Sequence, residues 1–301
     1  MNFLRKILDR PKQDKQTPTG SPLSATGKAA PDDRLGRFRE IVSDPLNVLI
    51  ERDPRAGTVE DGAVWLHNGN RVPVDCYYGR FSEILTINRG VHEPLEEFVF
   101  QQVMRLMPAD PTMLELGAYW AHYSMWMKRK RSTAKVFMVE PDLVNLEVGR
   151  VNFALNCFDG TFILAKVGHD DFQVDRFMNS QGYPQLTILH SDIQGFESEM
   201  LDGCAETLSR GLIDYAFVST HSQTLHAEVI DKLTTSGMRV EVSADFENET
   251  TSCDGLVFAS RSSLPAVFSE FAPIGRCEIN KSNPEKLISY ISAASAGNAI
   301  P

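Results

Sequence analysis

Short apolar runs alternate with helical patterns along most of the chain after residue 111. The runs K-V-F-M-V, L-T-I-L-H and Y-A-F-V-S are nearly all apolar, which is typical of parallel strands buried on both faces of a sheet. Seven strands are predicted, at residues 113–116, 135–139, 161–167, 186–190, 213–219, 239–243 and 255–260. Helices are predicted between them at residues 122–130, 142–156, 171–181, 196–209 and 222–236. This alternation predicts an α/β fold with a doubly wound, mainly parallel seven-stranded sheet.

The region before this sheet has a different pattern. Apolar spacing from residue 35 to residue 51 predicts a helix that is broken around Asp44-Pro45. Three runs then read as a small β-meander: G-A-V-W-L-H, R-V-P-V-D-C-Y-Y and E-I-L-T-I-N. Pro73 lacks an N–H group, so its strand is expected at an edge. A further helix is predicted from Leu95 to Leu106, and Pro108 ends it.

Residues 1–34 are predicted to be a disordered basic tail, because Pro, Lys, Ser, Thr and Gly dominate residues 11–33. At its start, apolar residues share one helical face beside Arg and Lys. This pattern is compatible with contact with a membrane surface or a partner, but a frayed terminus or a short docking helix is favoured, because ten residues rarely form a stable helix alone. The predicted organisation is therefore a tail at 1–34, an α+β extension at 35–110, the sheet domain at 111–265 and a C-terminal segment at 266–301.

Charge and cysteine content narrow the classes of partner and compartment. The formal net charge of −10 argues against nucleic acid, which needs concentrated Lys and Arg, and favours a small molecule or saccharide. Five widely spaced cysteines contain no C-x-x-C pair, so free thiols in a reducing cytoplasm are expected. No apolar run approaches the ~18 residues that span a bilayer, and the start lacks a signal-peptide core. The oligomeric state is left open.

Chemically active residues fall where the predicted strands end. In a doubly wound sheet the ligand lies at the carboxyl ends of the strands. Six residues share that edge: Glu115, Gly117, Glu140, Gly168, Asp192 and His221. Glu140 ends the second strand, where an acidic side chain can accept hydrogen bonds from both hydroxyls of a ribose. The same turn also predicts a helix N-cap at Asp142, and the two roles are compatible.

These residues belong to an ordered series of motifs: E-L-G-A-Y-W-A-H-Y-S, V-E-P-D, N-F-A-L-N, V-D-R-F and S-D-I-Q-G-F-E-S-E-M-L-D-G. The series resembles the FkbM-type family of S-adenosylmethionine-dependent methyltransferases over about 170 residues, and G-V-H-E-P at residues 90–94 resembles the family's lead-in. The resemblance implies a Rossmann-like class I methyltransferase fold with S-adenosylmethionine as the cofactor.

The resemblance also implies roles for individual residues. Glu115, Gly117 and Ala118 would line the methionine end of the cofactor, Glu140 would hold the ribose, and the loop from Val167 to His169 would border the adenine. The cofactor-binding residues predicted in this way are Glu115, Gly117, Ala118, Tyr119, Ser124, Glu140, Pro141, Val167, Gly168 and Asp192. Asn156 matches a family asparagine, and a helix C-cap is its simpler role.

The sequence departs from the family pattern at both main motifs. The family usually reads D-x-G-A-N-x-G at the first loop, where this chain has Glu115, Tyr119 and Ala121. The methyl group of Ala121 restricts the dihedral angles of the loop. Downstream the family usually reads K-x-D-x-E-G-x-E, where this chain has His190 and Gln194. These departures leave both cofactor binding and the catalytic group to be tested.

Methyl transfer to a hydroxyl needs alignment of the reactants and a group that takes the hydroxyl proton. His221 is expected to face Asp192, since their strands should be neighbours, and a neutral histidine oriented by a carboxylate is a suitable base. The alternative is a histidine that is only hydrogen-bonded at a strand end. A divalent metal is a further alternative, with His190, Asp192, Glu197 and His221 as candidate ligands.

Aromatic residues cluster around the first loop. Tyr119 and Trp120 are the candidates for stacking on a ligand, whereas Met125 and Trp126 are expected in the core. The function predicted from all these features is O-methylation of a hydroxyl on a saccharide or secondary metabolite. A non-catalytic binding or scaffolding protein is the alternative. A nicotinamide-dependent oxidoreductase ranks last, because G-x-G-x-x-G is absent.

Overall fold

The computed structural model of the 301-residue protein describes residues 34–77, 79–269 and 271–296. The predicted disorder and amphipathic pattern of residues 1–33 lie outside the described residues. Within the described ranges, no helix has the length and apolar character needed to cross a membrane. All five cysteines carry free thiols.

The extension begins with helix α1 (Arg34–Ser43), and Asp44 then caps a short 3-10 helix at Pro45–Val48. Strands β1 (Val59–Glu60), β2 (Ala63–Trp65) and β3 (Arg71–Pro73) form an antiparallel sheet in that order. Pro73 therefore lies in an edge strand, as predicted. Two helices follow, α2 (Glu83–Ile87) and α3 (Pro94–Arg105).

The prediction of a strand at E-I-L-T-I-N is wrong, because this run forms helix α2. A single helical turn buries the adjacent side chains of Ile84 and Leu85 while Ile87 stays exposed. The N–H of Asn88 donates to the carbonyl of Ile84, four residues back, which completes the turn. Six residues are too few for apolar alternation to distinguish a strand from one turn of helix.

The central sheet has seven strands: β4 (Thr112–Leu116), β5 (Lys135–Glu140), β6 (Thr161–Leu164), β7 (Leu186–Ser191), β8 (Ile213–Thr220), β9 (Met238–Ala244) and β10 (Gly255–Arg261). Their spatial order is β6-β5-β4-β7-β8-β10-β9. β10 is antiparallel to both of its neighbours, and the other pairings are parallel. The predicted Rossmann-like, mainly parallel seven-stranded α/β fold is confirmed.

The helices of this sheet domain and the C-terminal segment are α4 (His122–Lys130), α5 (Leu143–Leu155), α6 (Val174–Gln181), α7 (Glu197–Asp202), α8 (Ala205–Ser209), α9 (Gln223–Thr235), α10 (Arg276–Ile279) and α11 (Pro284–Ala296). The single helix predicted at 196–209 is therefore two helices. Gly203 lies at the break, and its carbonyl accepts the N–H of Asp175 instead of continuing a helix.

The extension packs on one face of the central sheet and shares its hydrophobic core. Phe100 of α3 contacts Trp126 of α4 and Phe217 of β8, with ring centroids 5.0 and 5.4 Å apart. Asn156 caps the C-terminus of α5, as predicted, and also binds the extension. Its Oδ1 accepts the N–H of Arg71 at 2.9 Å and its Nδ2 donates to the carbonyl of Arg71 at 2.7 Å. This pair of bonds fixes β3 to the sheet domain.

Candidate active site

The first loop of the site follows β4 and makes a left-handed turn. Gly117, Tyr119 and Ala121 have φ angles of 72°, 40° and 60°. The left-handed region of φ is unfavourable by roughly 1–2 kcal/mol for a residue with a Cβ, and glycine avoids this penalty. Tyr119 and Ala121 stand where the resembled family has Asn and Gly, yet they keep the conformation that those residues favour. The departures therefore strain the turn without unwinding it.

Gly117 lies against the loop that follows β7. A Cβ on Gly117 would lie 1.8 Å from the carbonyl oxygen of Asp192, far inside contact distance. In addition, the N–H of Asp192 donates to the carbonyl of Leu116 at 2.9 Å. The loops after β4 and β7 are thus joined backbone to backbone, and only glycine fits at residue 117.

Glu115 is buried beneath this loop. Its carboxylate accepts the N–H of Tyr123 at 3.3 Å and the N–H of Ser124 at 3.0 Å, both in the first turn of α4. Burial raises the pKa of Glu115, and these hydrogen bonds oppose the rise. Ala118 and Ser124 are buried as well. Glu115 therefore holds the start of α4 in place, and its carboxylate does not line an open surface.

Glu140 ends β5 beside the first loop. Its Oε2 accepts the N–H of Tyr119 at 3.1 Å, and its Oε1 accepts the N–H of Asp142 at 2.9 Å. Burial raises its pKa, and these backbone hydrogen bonds partly offset the rise. Asp142 caps α5 by accepting from Val144 at 2.8 Å, as predicted, while Pro141 is exposed at the tip of the turn.

The loop after β6 and two exposed apolar side chains border the same edge. Val167 is buried, and a Cβ on Gly168 would lie 2.8 Å from Oε1 of Glu199. Leu143, at the start of α5, is 56% exposed, and Phe196, just before α7, is 36% exposed. They follow β5 and β7, the two strands that flank β4. Apolar surface is thus exposed on both sides of the first loop.

Four titratable residues meet at the ends of β7, β8 and β10. His221 Nδ1 lies 2.6 Å from Glu197 Oε1. On the other side of the ring, His221 Nε2 lies 3.2 Å from Asp192 Oδ1 and 3.3 Å from Asp254 Oδ1. One imidazole therefore contacts three carboxylates. Sequence reasoning missed Asp254. It precedes β10, and an antiparallel strand begins at the edge where the parallel strands end.

The carboxylates determine the charge of the histidine. Burial alone would lower the pKa of His221, but the hydrogen bonds to Asp192 and Glu197 and the charge of Asp254 raise it to about 11. Burial raises the pKa of Asp254 to about 7 against the opposing charge of His221. Burial acts in the same direction on Asp192, but the hydrogen bond with His221 and the charges of His221 and His190 together outweigh it and lower the pKa. At neutral pH His221 is thus a cation.

His190, a predicted metal candidate, does not join these residues. Its Nε2 lies 2.6 Å from Glu96 Oε1 of α3. Asp192, His221 and Asp254 instead form a group whose ligand atoms lie within 4.8 Å of one another. The expectation that His190 shares a site with Asp192 and His221 is therefore corrected, since α3 supplies a closer carboxylate.

The extension contributes a further acidic residue that sequence reasoning missed. Glu93 accepts the hydroxyl of Tyr123 at 2.9 Å. Burial raises the pKa of Glu93 to about 8, with the charges of Glu96, Asp192 and Asp254 adding to the rise and that of His92 opposing it. The helix start at Glu93-Pro94 therefore faces the ends of β7 and β10. The G-V-H-E-P motif was its only signal in the sequence.

The prediction that Trp120 stacks on a ligand is wrong. Its indole is buried and packs against His92 and His122 at 4.9 Å and Tyr77 at 5.2 Å. The extension covers this side of the loop, which the sequence pattern did not reveal. Tyr119 is half-buried, and its hydroxyl donates to the carbonyl of Cys76 at 2.8 Å. Met125 and Trp126 lie in the core, as predicted.

No family model matches the chain, and no curated protein matches it. Among solved structures it is similar to a precorrin-6y C5,15-methyltransferase from Geobacter metallireducens, with 14% identity, 55% of this chain and 88% of that chain covered, and a TM-score of 0.40. It is also similar to TrmK of M. capricolum bound to S-adenosyl-homocysteine, with 11% identity, 67% of this chain and 87% of that chain covered, and a TM-score of 0.39.

A third similar structure is an S-adenosylmethionine-dependent O-methyltransferase from Thermotoga maritima, with 12% identity, 56% of this chain and 66% of that chain covered, and a TM-score of 0.40. All three TM-scores lie below 0.5. The assignment of the fold therefore rests on the strand order and connections of the chain itself.

Proposed function

We propose that the protein is an S-adenosylmethionine-dependent O-methyltransferase of the FkbM type, acting on a hydroxyl of a saccharide or secondary metabolite. One observation carries the proposal. The glycine turn at Gly117, the acidic strand end at Glu140 and the cluster around His221 all lie at the carboxyl edge of one sheet. A bound cofactor and a proton acceptor would thereby be adjacent, as transfer to a hydroxyl requires.

The residues of this edge are compatible with S-adenosylmethionine. The cofactor supplies an electrophilic methyl group on a sulfonium centre when bound. Glu140 would accept hydrogen bonds from the ribose, since a carboxylate has more acceptor sites than its two backbone donors use. Leu143 and Phe196 would cover the faces of the adenine, with Pro141, Val167 and Gly168 at its border. Gly117, Ala118, Tyr119 and Asp192 would contact the methionine end, while Glu115 and Ser124 would act by holding the loop.

The acceptor's proton would pass to a carboxylate. His221 was expected to be a neutral base, but a pKa of about 11 leaves it protonated at neutral pH. Asp254, with a pKa of about 7, has the proton affinity that general-base catalysis near neutral pH favours. In the proposal Asp254 accepts the proton as the acceptor oxygen gains the methyl group. His221 and Asp192 then orient Asp254 and the acceptor hydroxyl.

The charge of the site favours a neutral or cationic acceptor. Asp192, Glu197 and Asp254 lie against the cationic ring of His221. A phosphate or carboxylate beside the reacting hydroxyl would be repelled. Sugar hydroxyls can donate hydrogen bonds to these carboxylates, which agrees with a saccharide as the acceptor.

A non-catalytic binding protein is the second candidate. Two observations favour it: Tyr119 and Ala121 strain the first loop, and the carboxylate of Glu115 is buried and caps α4. A divalent cation bound by Asp192, His221 and Asp254 is a variant of the enzymatic proposal, because these ligand atoms converge. Turnover that persists after removal of metal with a chelator would exclude the version with a cation.

The test is calorimetric titration of the full chain with S-adenosylmethionine and S-adenosylhomocysteine. We expect micromolar binding that Glu140→Gln weakens by roughly tenfold or more, through loss of a charged acceptor. Glu147→Gln is the matched control, because Glu147 lies partly exposed on α5, the helix after Glu140, and pairs with Arg150 at 3.1 Å. No binding by a folded wild-type chain would exclude the enzyme and favour the second candidate.

A further inference from the structure

A cluster of three histidines and one glutamate lies between the extension and the first loop, and none of the four is among the proposed catalytic residues. His67 is in the turn after β2, His92 precedes α3, Glu97 is within α3 and His122 is the first residue of α4. Their exposed fractions are only 2%, 2%, 0% and 1%, respectively. We call these four residues the histidine cluster. The fold therefore brings these residues together from separate segments and buries nearly all of their polar atoms.

The polar atoms of the histidine cluster point at one another. His67 Nε2 lies 3.0 Å from Glu97 Oε2. His92 Nδ1 lies 2.6 Å from Glu97 Oε1, and His122 Nε2 lies 3.9 Å from the same oxygen. The ligand atoms of His67, Glu97 and His122 all lie within 4.8 Å of one another. This is the spacing of groups that converge on a common point.

Hydrogen bonds within the described part of the chain do not satisfy these atoms. Neither ring nitrogen of His122 has a hydrogen-bond partner there. His67 Nε2, His92 Nδ1 and Glu97 Oε2 also lack an aligned hydrogen bond, and His67 and His92 reach Glu97 only through ion-pair contacts of 3.0 and 2.6 Å. Buried polar atoms without partners are rare in folded proteins and call for an unseen ligand or a functional reason.

We propose that the histidine cluster binds a divalent transition-metal ion such as Zn²⁺ through His67 Nε2, His122 Nε2 and the carboxylate of Glu97. Two imidazoles and a carboxylate are a common ligand set for zinc and for related first-row metals. Metal–ligand bonds of about 2.0–2.1 Å place tetrahedral ligand atoms roughly 3.3 Å apart. The observed separations of 3.0 and 3.9 Å lie on either side of that spacing.

Residues around the three ligands hold them in orientation, as metal sites require. Oε1 of Glu97 accepts the N–H of His92 at 2.9 Å and the N–H of Glu93 at 3.2 Å. The ring of His122 stacks on Trp120 at 4.9 Å, and the ring of His67 packs edge-on against Trp126 at 4.5 Å. His92 is therefore a positioning residue for the carboxylate. The aromatic shell excludes water from the ion.

The proposed ion would connect three parts of the chain. His67 belongs to the meander, Glu97 to α3 and His122 to the helix that follows Ala121, whose left-handed conformation is strained. Binding at these ligands would hold the first loop against the extension. The site is consequently structural in character, and it does not depend on whether the protein transfers methyl groups.

The first experiment uses the full wild-type chain. We expect about one zinc per chain by elemental mass spectrometry, or on titration of metal-free protein with Zn²⁺. With Co²⁺ as the probe, we expect visible absorption bands of a low-coordinate site with nitrogen and oxygen ligands. A hundredfold excess of Zn²⁺ over its Kd should raise the unfolding temperature by roughly 5 °C. A wild-type chain that neither binds nor is stabilised by these ions overturns the proposal without recourse to any variant.

The second experiment locates the ion. His122→Gln should weaken Zn²⁺ binding at least ~100-fold and remove the Co²⁺ bands, since it replaces a ligand. His226→Gln is the matched control, because His226 is equally buried but bonds Thr220 and Ser243 at 2.9 Å each. It should leave the Zn²⁺ affinity unchanged. If Asp254→Asn removes the ion and His122→Gln does not, the metal belongs to the group at Asp192 and His221, and the proposal is wrong.

Discussion

Asp254 Oδ1 lies 3.3 Å from His221 Nε2, at the edge where β8 ends and β10 begins. The opposite ring nitrogen of His221 lies 2.6 Å from Glu197 Oε1. An imidazole held between carboxylates on both sides keeps its proton, so it organises the site as a cation. A carboxylate is then the better candidate for accepting a proton from the substrate.

Asp254→Asn should lower kcat by about 10²–10⁴-fold, the usual contribution of a general base. The amide keeps the size of the side chain but cannot take up a proton at neutral pH. KM for the cofactor should stay within about twofold, since the proposal places Asp254 beside the acceptor. The measurement is steady-state transfer of labelled methyl groups. Asp231→Asn, on the exposed face of α9, is the control and should retain full activity.

Turnover should depend on pH with a defined sign. Asp254 must be deprotonated to accept a proton, and its pKa is about 7 in the folded protein. The rate should therefore rise as the pH increases from about 6 to 8. His221, with a pKa of about 11, stays protonated across this range and should add no second inflection. A rate that falls with rising pH, or the same profile in Asp254→Asn, would contradict the assignment.

The sheet could be predicted from the sequence because its buried strands carry a strong local signal. Runs such as K-V-F-M-V and L-T-I-L-H are apolar on both faces and lie between long amphipathic helices. The run at 83–88 carries no such signal. A strand would place Ile84 and Leu85 on opposite faces, whereas the helical turn buries both, and six residues are too few for the apolar pattern to decide between them.

The sequence could predict only those residues of the candidate site that directly follow the parallel strands. Glu140, Asp192 and His221 follow parallel strands, so their common edge follows from the topology. Asp254 precedes a strand, and its place depends on β10 running antiparallel to the others. Trp120 was misassigned because its burial depends on the extension, whose position no local pattern encodes. Sequence periodicity does not predict how segments that are distant in the chain pack against each other.

Asn156→Ala should destabilise the folded chain by about 1–3 kcal/mol, through loss of the two hydrogen bonds to Arg71 and of the side-chain bond to the carbonyl of Asn152 at the end of α5. Thermal unfolding should show a decrease of roughly 2–4 °C for each kcal/mol. Asn179→Ala is the control, because Asn179 is exposed on α6. Equal melting temperatures for the two variants would mean that the bonds to the extension contribute nothing measurable.

Gly117→Ala tests the backbone contact between the two principal loops. The added Cβ would lie 1.8 Å from the carbonyl oxygen of Asp192, so one loop must move. The φ of 72° adds roughly 1–2 kcal/mol of strain. We expect a loss of about 3 kcal/mol in the free energy of unfolding, and binding of S-adenosylmethionine weakened by at least tenfold.

Gly182→Ala separates the effect of the clash with Asp192 from the effect of the left-handed backbone strain. Gly182 has a φ of 64° at the end of α6, and a Cβ there would meet nothing within 4 Å. This variant should show only the left-handed strain, roughly 1–2 kcal/mol, with unchanged cofactor affinity. If Gly117→Ala resembled Gly182→Ala in both stability and cofactor binding, the contact with Asp192 would have no role in shaping the site. A selective loss of binding in Gly117→Ala would instead locate the cofactor at the junction of the loops after β4 and β7.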